Sequence, residues 1–181
     1  MGILDISDGT FGVIGLLVGL IDMGYNHCPN DGCLAKNHVQ AYNTVSIGET
    51  FFNERKTGEE IYFRRDTGVA NGPFQHTWGF SASNDGEFWI GAGQSYTKTF
   101  LNDRGFVQMH AMTGLHHEGS GSDIGEPIMF RTGIEVGYQN KSDVRFGLGF
   151  DHRSHLGIHG HNPGLETLHF RISIPTRSKH K

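Results

Sequence analysis

One short segment of the chain holds the three residue types of an acyl-transfer triad. His152 and Ser154 are separated by one residue, and Glu166 follows twelve positions after the serine. A histidine can take the proton of a serine hydroxyl that attacks an ester carbonyl, and a carboxylate can orient that histidine. Spacing alone is weak evidence, because a chance His-x-Ser followed by a solvated glutamate is expected about as often as a catalytic triad with this spacing. The interpretation therefore depends on the elements that carry these residues.

Alternation of apolar and polar residues places the three on the apolar side of two predicted strands. Along 144–154, every second residue from Val144 to Phe150 is apolar, and His152 and Ser154 continue that face. On the following strand, Glu166 shares a face with a run of apolar residues, since side chains alternate across a strand. The intervening stretch is rich in Gly, His, Asn and Pro, which favours a hairpin loop. Antiparallel pairing would then return the carboxylate beside the histidine, on a face suited to a lipid substrate.

The rest of the chain alternates in the same way and predicts an all-β protein. Glycine is abundant (27) and proline scarce (5), and no long stretch has helical periodicity. Turn sequences such as Asn84-Asp85-Gly86 separate the predicted strands. Eight strands are predicted, at 39–52, 59–70, 74–84, 87–99, 105–117, 127–140, 144–155 and 165–175.

Two architectures fit this alternation. A soluble barrel or sandwich turns its apolar faces inward, whereas a membrane barrel turns them outward and fills its lumen with polar and small residues. The polar faces carry Arg131, Glu135, Arg145 and Asp151 among many glycines, which is typical of a small packed lumen. A soluble surface would carry more Lys and Glu. The pattern therefore favours an eight-stranded antiparallel up-and-down β-barrel of outer-membrane type.

Length and charge set the domain organisation. The 181 residues fit one domain, and the net charge of −4 provides no basic surface for nucleic acid. We expect residues 1–36 to be an N-terminal extension of uncertain structure, residues 37–176 to be the β-barrel with the active site, and residues 177–181 to be a basic tail.

The N-terminal extension contains two features that the sequence leaves open. The apolar run Phe11–Ile21 is too short for a spanning helix, and we expect an apolar strand or a short membrane-touching segment. Asp5 and Asp8 precede it without any Lys or Arg, which is unlike a signal peptide. Cys28 and Cys33 could close a small disulfide loop or remain free thiols.

Residues from about 87 to 175 resemble the PagL family, the lipid A 3-O-deacylases of Gram-negative outer membranes. The block 146–166 is similar to the family's His-x-Ser-Asn motif and the Asn-Pro-Gly-Leu loop that follows it, with matching spacing to the glutamate. His155 stands where the family usually has Asn. The segments 91–96, 113–119 and 130–138 are also similar to the family.

This resemblance implies an outer-membrane barrel that removes the ester-linked hydroxyacyl chain at the 3-position of lipid A. Ser154 would be the nucleophile, His152 the general base and Glu166 the group that orients the imidazole. Gly157 and Asn162 would supply the oxyanion site. The implied partners are lipid A or lipopolysaccharide as substrate and membrane lipid around the barrel, and a homodimer stays open. No cofactor and no metal is implied.

Two other classes of function remain open. Histidine is frequent (12 residues). A metal could be bound by His152, His155, His159 and His161 with His116 and His117 elsewhere. No His-Glu-x-x-His signature accompanies them, so polar loop histidines near a lipid headgroup are the favoured interpretation. The other class is a non-catalytic lipid-binding or structural barrel on the same scaffold.

Overall fold

The computed structural model shows a helix followed by nine strands. It describes residues 10–30, 32–121, 124, 127–155 and 164–176. Helix α1 spans Thr10–Asp22, and a π-helical turn spans Met23–His27. The strands are β1 (Lys36–His38), β2 (Ala41–Phe52), β3 (Arg55–Asn71), β4 (Phe74–Ser83), β5 (Phe88–Phe100), β6 (Gly105–His117), β7 (Ile128–Gln139), β8 (Arg145–Ser154) and β9 (Leu165–Thr176).

Strands β2 to β9 form a closed antiparallel barrel. Each pairs with the next along the chain, and the pairing of β2 with β9 closes the ring. The short β1 adds to the end of β3 at Val69–Asn71. The prediction of an eight-stranded antiparallel up-and-down barrel of outer-membrane type is therefore confirmed. Seven strands both begin and end within two residues of the predicted bounds. The exception is β3, which begins at Arg55 rather than at residue 59.

The barrel interior is polar and its outer wall is apolar. Arg131, Glu135 and Asp151 are at most 1% exposed, as the predicted lumen requires, and Arg145 is partly buried. Large apolar side chains on the opposite faces are exposed, and they include Val45, Ile47, Ile61, Phe80, Ile90, Leu115, Val136, Leu148, Leu168 and Phe170. This arrangement is the reverse of a soluble barrel and typical of one surrounded by lipid.

Buried ion pairs connect strands across the lumen. Arg131 lies 2.7 Å from a carboxylate oxygen of Glu60 and 2.7 Å from one of Asp151. Arg153 donates to Glu60 at 2.6 Å, and Arg171 lies 3.2 Å from Asp151. A buried charge is tolerated when it is paired and hydrogen-bonded. Shared carboxylates therefore hold much of the lumen, beside a buried apolar cluster that includes Tyr62, Trp89 and Met112.

The sequence left the run Phe11–Ile21 as either an apolar strand or a short membrane-touching segment. The run is helical, so the strand interpretation was wrong, and the membrane-touching interpretation stays a prediction. Helix α1 has 13 residues, which at a rise of 1.5 Å gives a length of about 20 Å. In the part of the chain that the structure describes, no helix is long and apolar enough to cross a membrane. After the π-helical turn, Cys28 and Cys33 form a disulfide. The sequence had left a disulfide and two free thiols as alternatives.

Helix α1 packs on the outer wall of the barrel through its glycines. A methyl group added at Gly12 would lie 2.6 Å from Thr132 Cγ2, and one added at Gly15 would lie 2.8 Å from Met109 Cβ. The large apolar side chains of the helix are exposed: Val13, Ile14, Leu16, Leu17, Val18, Leu20 and Ile21. The helix therefore extends the apolar outer surface of the barrel.

Candidate active site

The pairing of β8 with β9 brings His152 and Glu166 side by side. The two residues are direct partners in the register of these strands. His152 Nδ1 lies 3.3 Å from Glu166 Oε1. When Nδ1–H donates to this carboxylate, Nε2 becomes the basic nitrogen of the neutral ring. The histidine is thus oriented in the way that a general base requires.

Ser154 continues the same face of β8. Strands advance about 3.3 Å per residue, so its Cα lies about 7 Å from that of His152. Ser154 is 1% exposed, His152 2% and Glu166 8%. Leu148, on the same outward face of β8, is 64% exposed. The three predicted site residues therefore lie on the outer wall in a locally covered position.

Gly164 lies against the His152–Glu166 pair, a contact that the sequence analysis did not predict for this glycine of the Asn-Pro-Gly-Leu loop. A methyl group added at Gly164 would lie 3.0 Å from His152 Nδ1 and 3.2 Å from Glu166 Oε1. A larger side chain would displace the imidazole or the carboxylate. The signal for this glycine was its place directly before β9, the strand that carries Glu166.

Helix α1 begins beside the site. Phe11 packs edge-on against Phe150, with 5.9 Å between ring centroids. Gly12 contacts Thr132, and Thr132 is the register partner of His152 on β7. The sequence did not predict this neighbour, because the extension showed no helical period.

An ion pair in the lumen holds β8, the strand that carries His152 and Ser154. Arg153 lies between His152 and Ser154 and is 1% exposed on the opposite, inward face. Its guanidinium donates to Glu60 at 2.6 Å. Because Glu60 is on β3, this ion pair connects the end of β8 that carries the candidate site to the far wall of the barrel.

Several predicted residues fall outside the described part of the chain. These are the two expected oxyanion residues, Gly157 and Asn162, and the loop histidines His159 and His161. Their roles stay predictions. His155 is described and is 3% exposed at the end of β8.

Comparison with known proteins assigns the family. A family model described as lipid A 3-O-deacylase (PagL) matches residues 60–175. The chain belongs to the PagL family of lipid A 3-O-deacylases. The matched span contains His152, Ser154 and Glu166 and covers β4 to β8 completely. No curated protein matches the chain significantly by sequence.

Solved structures show the same fold. The outer membrane enzyme PagL superposes with a TM-score of 0.61 at 15% identity, over 75% of this chain and 99% of that one. Neisserial surface protein A gives a TM-score of 0.56 at 11% identity, over 78% and 99% of the two chains. A de novo designed transmembrane β-barrel gives 0.56 at 8% identity, over 77% and 98%. At these identities the likeness concerns the fold alone.

Proposed function

We propose that this protein is a serine esterase that removes the ester-linked hydroxyacyl chain at the 3-position of lipid A. The observation that carries the proposal is the 3.3 Å contact between His152 and Glu166 on the outer wall, with Ser154 on the same face. Membership of the PagL family supports lipid A as the substrate class. We take residues 37–176 as the barrel unit that contains this site.

In the first step, Ser154 Oγ attacks the ester carbonyl carbon while His152 Nε2 takes the hydroxyl proton. Glu166 stabilises the imidazolium that forms, because its carboxylate accepts the Nδ1 hydrogen bond. The tetrahedral intermediate then collapses, and the sugar oxygen leaves with the proton from His152. The products of this step are an acyl-serine and the deacylated lipid.

In the second step, water attacks the acyl-serine and His152 takes the proton of the water. Collapse returns that proton to Ser154 and releases the hydroxy fatty acid. Both tetrahedral intermediates carry an oxyanion that needs hydrogen-bond donors about 3 Å away. We assign this role to the Gly157 backbone N–H and the Asn162 side-chain amide.

The position of the site explains how a lipid would reach it. The residues that precede the site on the same face of β8, such as Phe146 and Leu148, are exposed and apolar. Acyl chains can therefore lie along the wall while the ester bond meets Ser154. We propose the outer membrane of a Gram-negative cell as the location, because lipid A is found there and the barrel has the outer-membrane fold.

Mass spectrometry of lipid A tests the proposal. The purified protein in detergent is incubated with lipid A, beside Ser154→Ala and the control Ser142→Ala, whose serine lies in the exposed β7–β8 turn. We expect loss of one hydroxyacyl chain with the wild type and the control, and none with Ser154→Ala. Intact lipid A in all three samples, with folded barrels, would instead favour the non-catalytic lipid-binding barrel.

A further inference from the structure

Helix α1 follows the outer wall from the middle of one strand to the far end of another. At its start, Gly12 contacts Thr132, which lies within β7. Near its end, Gly19 contacts Phe74, the first residue of β4. Strands β4 and β8 run in the same direction, and β8 ends at the candidate site. The helix therefore begins beside the site and descends toward the opposite end of the barrel.

The side of α1 that points away from the barrel consists of hydrocarbon alone. From Phe11 to Ile21 the chain contains only apolar residues and glycine. Val13, Leu17 and Ile21, which are spaced along the helix, are each more than half exposed. A helix that lies flat on a membrane keeps a polar or charged side for the water, and α1 has none. Its exposed side is therefore suited to hydrocarbon over its whole width.

Charge appears only where the helix ends. Asp22 is the last residue of α1, and its carboxylate accepts from Lys98 Nζ at 3.0 Å and from Asn26 Nδ2 at 2.9 Å. Lys98 lies two residues before the end of β5, at the end of the barrel opposite the candidate site. Charged groups gather where a membrane protein leaves the hydrocarbon, because burying them there is costly. The end of α1 and the rim of the barrel therefore reach water at the same level.

The glycines of α1 are already occupied, which decides between lipid and a second helix as the neighbour. Helices that associate inside a membrane use small residues, because these let two backbones approach closely. In α1 these positions face the barrel, where Gly15 contacts Met109 and Gly19 contacts Phe74. The free side carries bulky residues and continues the exposed apolar wall of the barrel. Acyl chains, which also surround the wall of an outer-membrane barrel, fit this surface.

We propose that α1 is inserted in the hydrocarbon of the membrane along the barrel wall, with its exposed side against lipid acyl chains and its start deeper than its end. On one flank of the candidate site the helix then takes the place of lipid. Thr132, the register partner of His152, is 9% exposed, whereas Ile128 and Val136 on the same face of β7 are more than half exposed. The proposal requires a barrel in a bilayer, but it does not depend on the esterase reaction.

Quenching of tryptophan by brominated phospholipid tests the contact with acyl chains. The full-length protein carries Trp78→Phe and is reconstituted in phosphatidylcholine vesicles. Trp89, which is fully buried, then gives a constant background signal. The reporter is Leu17→Trp on α1, and Leu148→Trp on the exposed wall of β8 is its matched control. Ser142→Trp, in the exposed β7–β8 turn, reports on water.

We expect bromines in the middle of the acyl chains to quench Leu17→Trp as strongly as Leu148→Trp, and aqueous iodide to quench Ser142→Trp alone. Quenching of Leu17→Trp by iodide instead of lipid would place this side of α1 in water and overturn the proposal. Protection of Leu17→Trp from both quenchers would also overturn it, because a second copy or another protein would then cover the helix. If lipid fails to quench Leu148→Trp as well, the barrel is not in the bilayer, and the proposed location fails together with this proposal.

The depth of the two ends tests the orientation of the helix. Val13→Trp and Ile21→Trp are compared in lipids brominated near the headgroup and lipids brominated near the end of the chain. Both residues are exposed, so the substitutions leave the contact with the barrel intact. We expect deep bromines to quench Val13→Trp best and shallow bromines to quench Ile21→Trp best. The same depth profile at both positions would show a helix that lies parallel to the membrane surface, which would overturn the inserted orientation.

Discussion

The carboxylate of Glu60 holds two buried arginines, so neutralising it should destabilise the barrel. Glu60 is 3% exposed, lies 2.7 Å from Arg131 and accepts from Arg153 at 2.6 Å. Glu60→Gln keeps the size of the side chain but removes its charge. It also replaces one acceptor oxygen by an NH₂ group that faces a guanidinium.

The remaining contacts of the two arginines set the magnitude. Removing one partner of a buried ion pair costs about 3–5 kcal/mol. Arg131 retains Asp151 at 2.7 Å, whereas among the described residues the nearest other carboxylate to Arg153 is that of Glu87 at 4.0 Å. The loss therefore falls mainly on Arg153, and we expect the lower end of the range, a reduction of about 3 kcal/mol in the free energy of unfolding.

Equilibrium unfolding in urea, followed by tryptophan fluorescence in detergent, measures this change. The control is Glu49→Gln, which removes an exposed carboxylate 2.8 Å from Lys56. Exposed pairs contribute about 0–1 kcal/mol, so the control should stay close to the wild type. A reduction for Glu60→Gln that is no larger than the control's would refute the reasoning that a shared carboxylate holds the lumen together.

Three further changes test the site and the helix. Glu166→Gln should lower kcat by roughly 10²- to 10⁴-fold, because the imidazole loses its orienting anion; steady-state kinetics near the wild type would count against that role. Gly15→Leu should lift α1 off the barrel, since even a Cβ would lie 2.8 Å from Met109 Cβ; unchanged protease sensitivity of the helix would contradict this contact. Replacing Cys28 and Cys33 by serine should lower the free energy of local unfolding of the segment after α1 by about 2 kcal/mol. Amide hydrogen exchange in that segment should then accelerate, and unchanged exchange would show that the disulfide contributes little.

The barrel was predictable because its signals are local. Alternation fixed which residues face outward, and turn sequences such as Asn84-Asp85-Gly86 marked the strand ends. The same parity placed His152, Ser154 and Glu166 on one face. Their adjacency across β8 and β9 required only that two neighbouring strands pair as a hairpin, which is the usual arrangement.

Helix α1 was not predictable from the same rules. A surface helix normally turns apolar side chains to the protein and polar ones outward. In α1 the glycines Gly12 and Gly15 face the barrel, and large side chains such as Leu17 face away from it. Glycine also disfavours an isolated helix by about 1 kcal/mol relative to alanine. Packing against the barrel wall, which the sequence does not display, stabilises the helix.

Contacts between residues far apart in the chain could not be predicted from the sequence either. Arg131 pairs with Glu60, which is 71 residues away, and Arg153 pairs with the same carboxylate across 93 residues. Such contacts depend on the register of the closed ring, which local spacing does not encode. The expected oxyanion residues, Gly157 and Asn162, stay predictions because they lie outside the residues that the structure describes.

Trapping the covalent intermediate tests the central claim most directly. The protein is mixed with lipid A, quenched in acid within the first turnovers and digested, and the peptide that contains Ser154 is weighed by mass spectrometry. We predict a fraction of this peptide that is heavier by one hydroxyacyl group, attached at Ser154 and absent from Ser154→Ala. Deacylation of lipid A by Ser154→Ala at the wild-type rate, with no adduct on the wild-type peptide, would contradict the account.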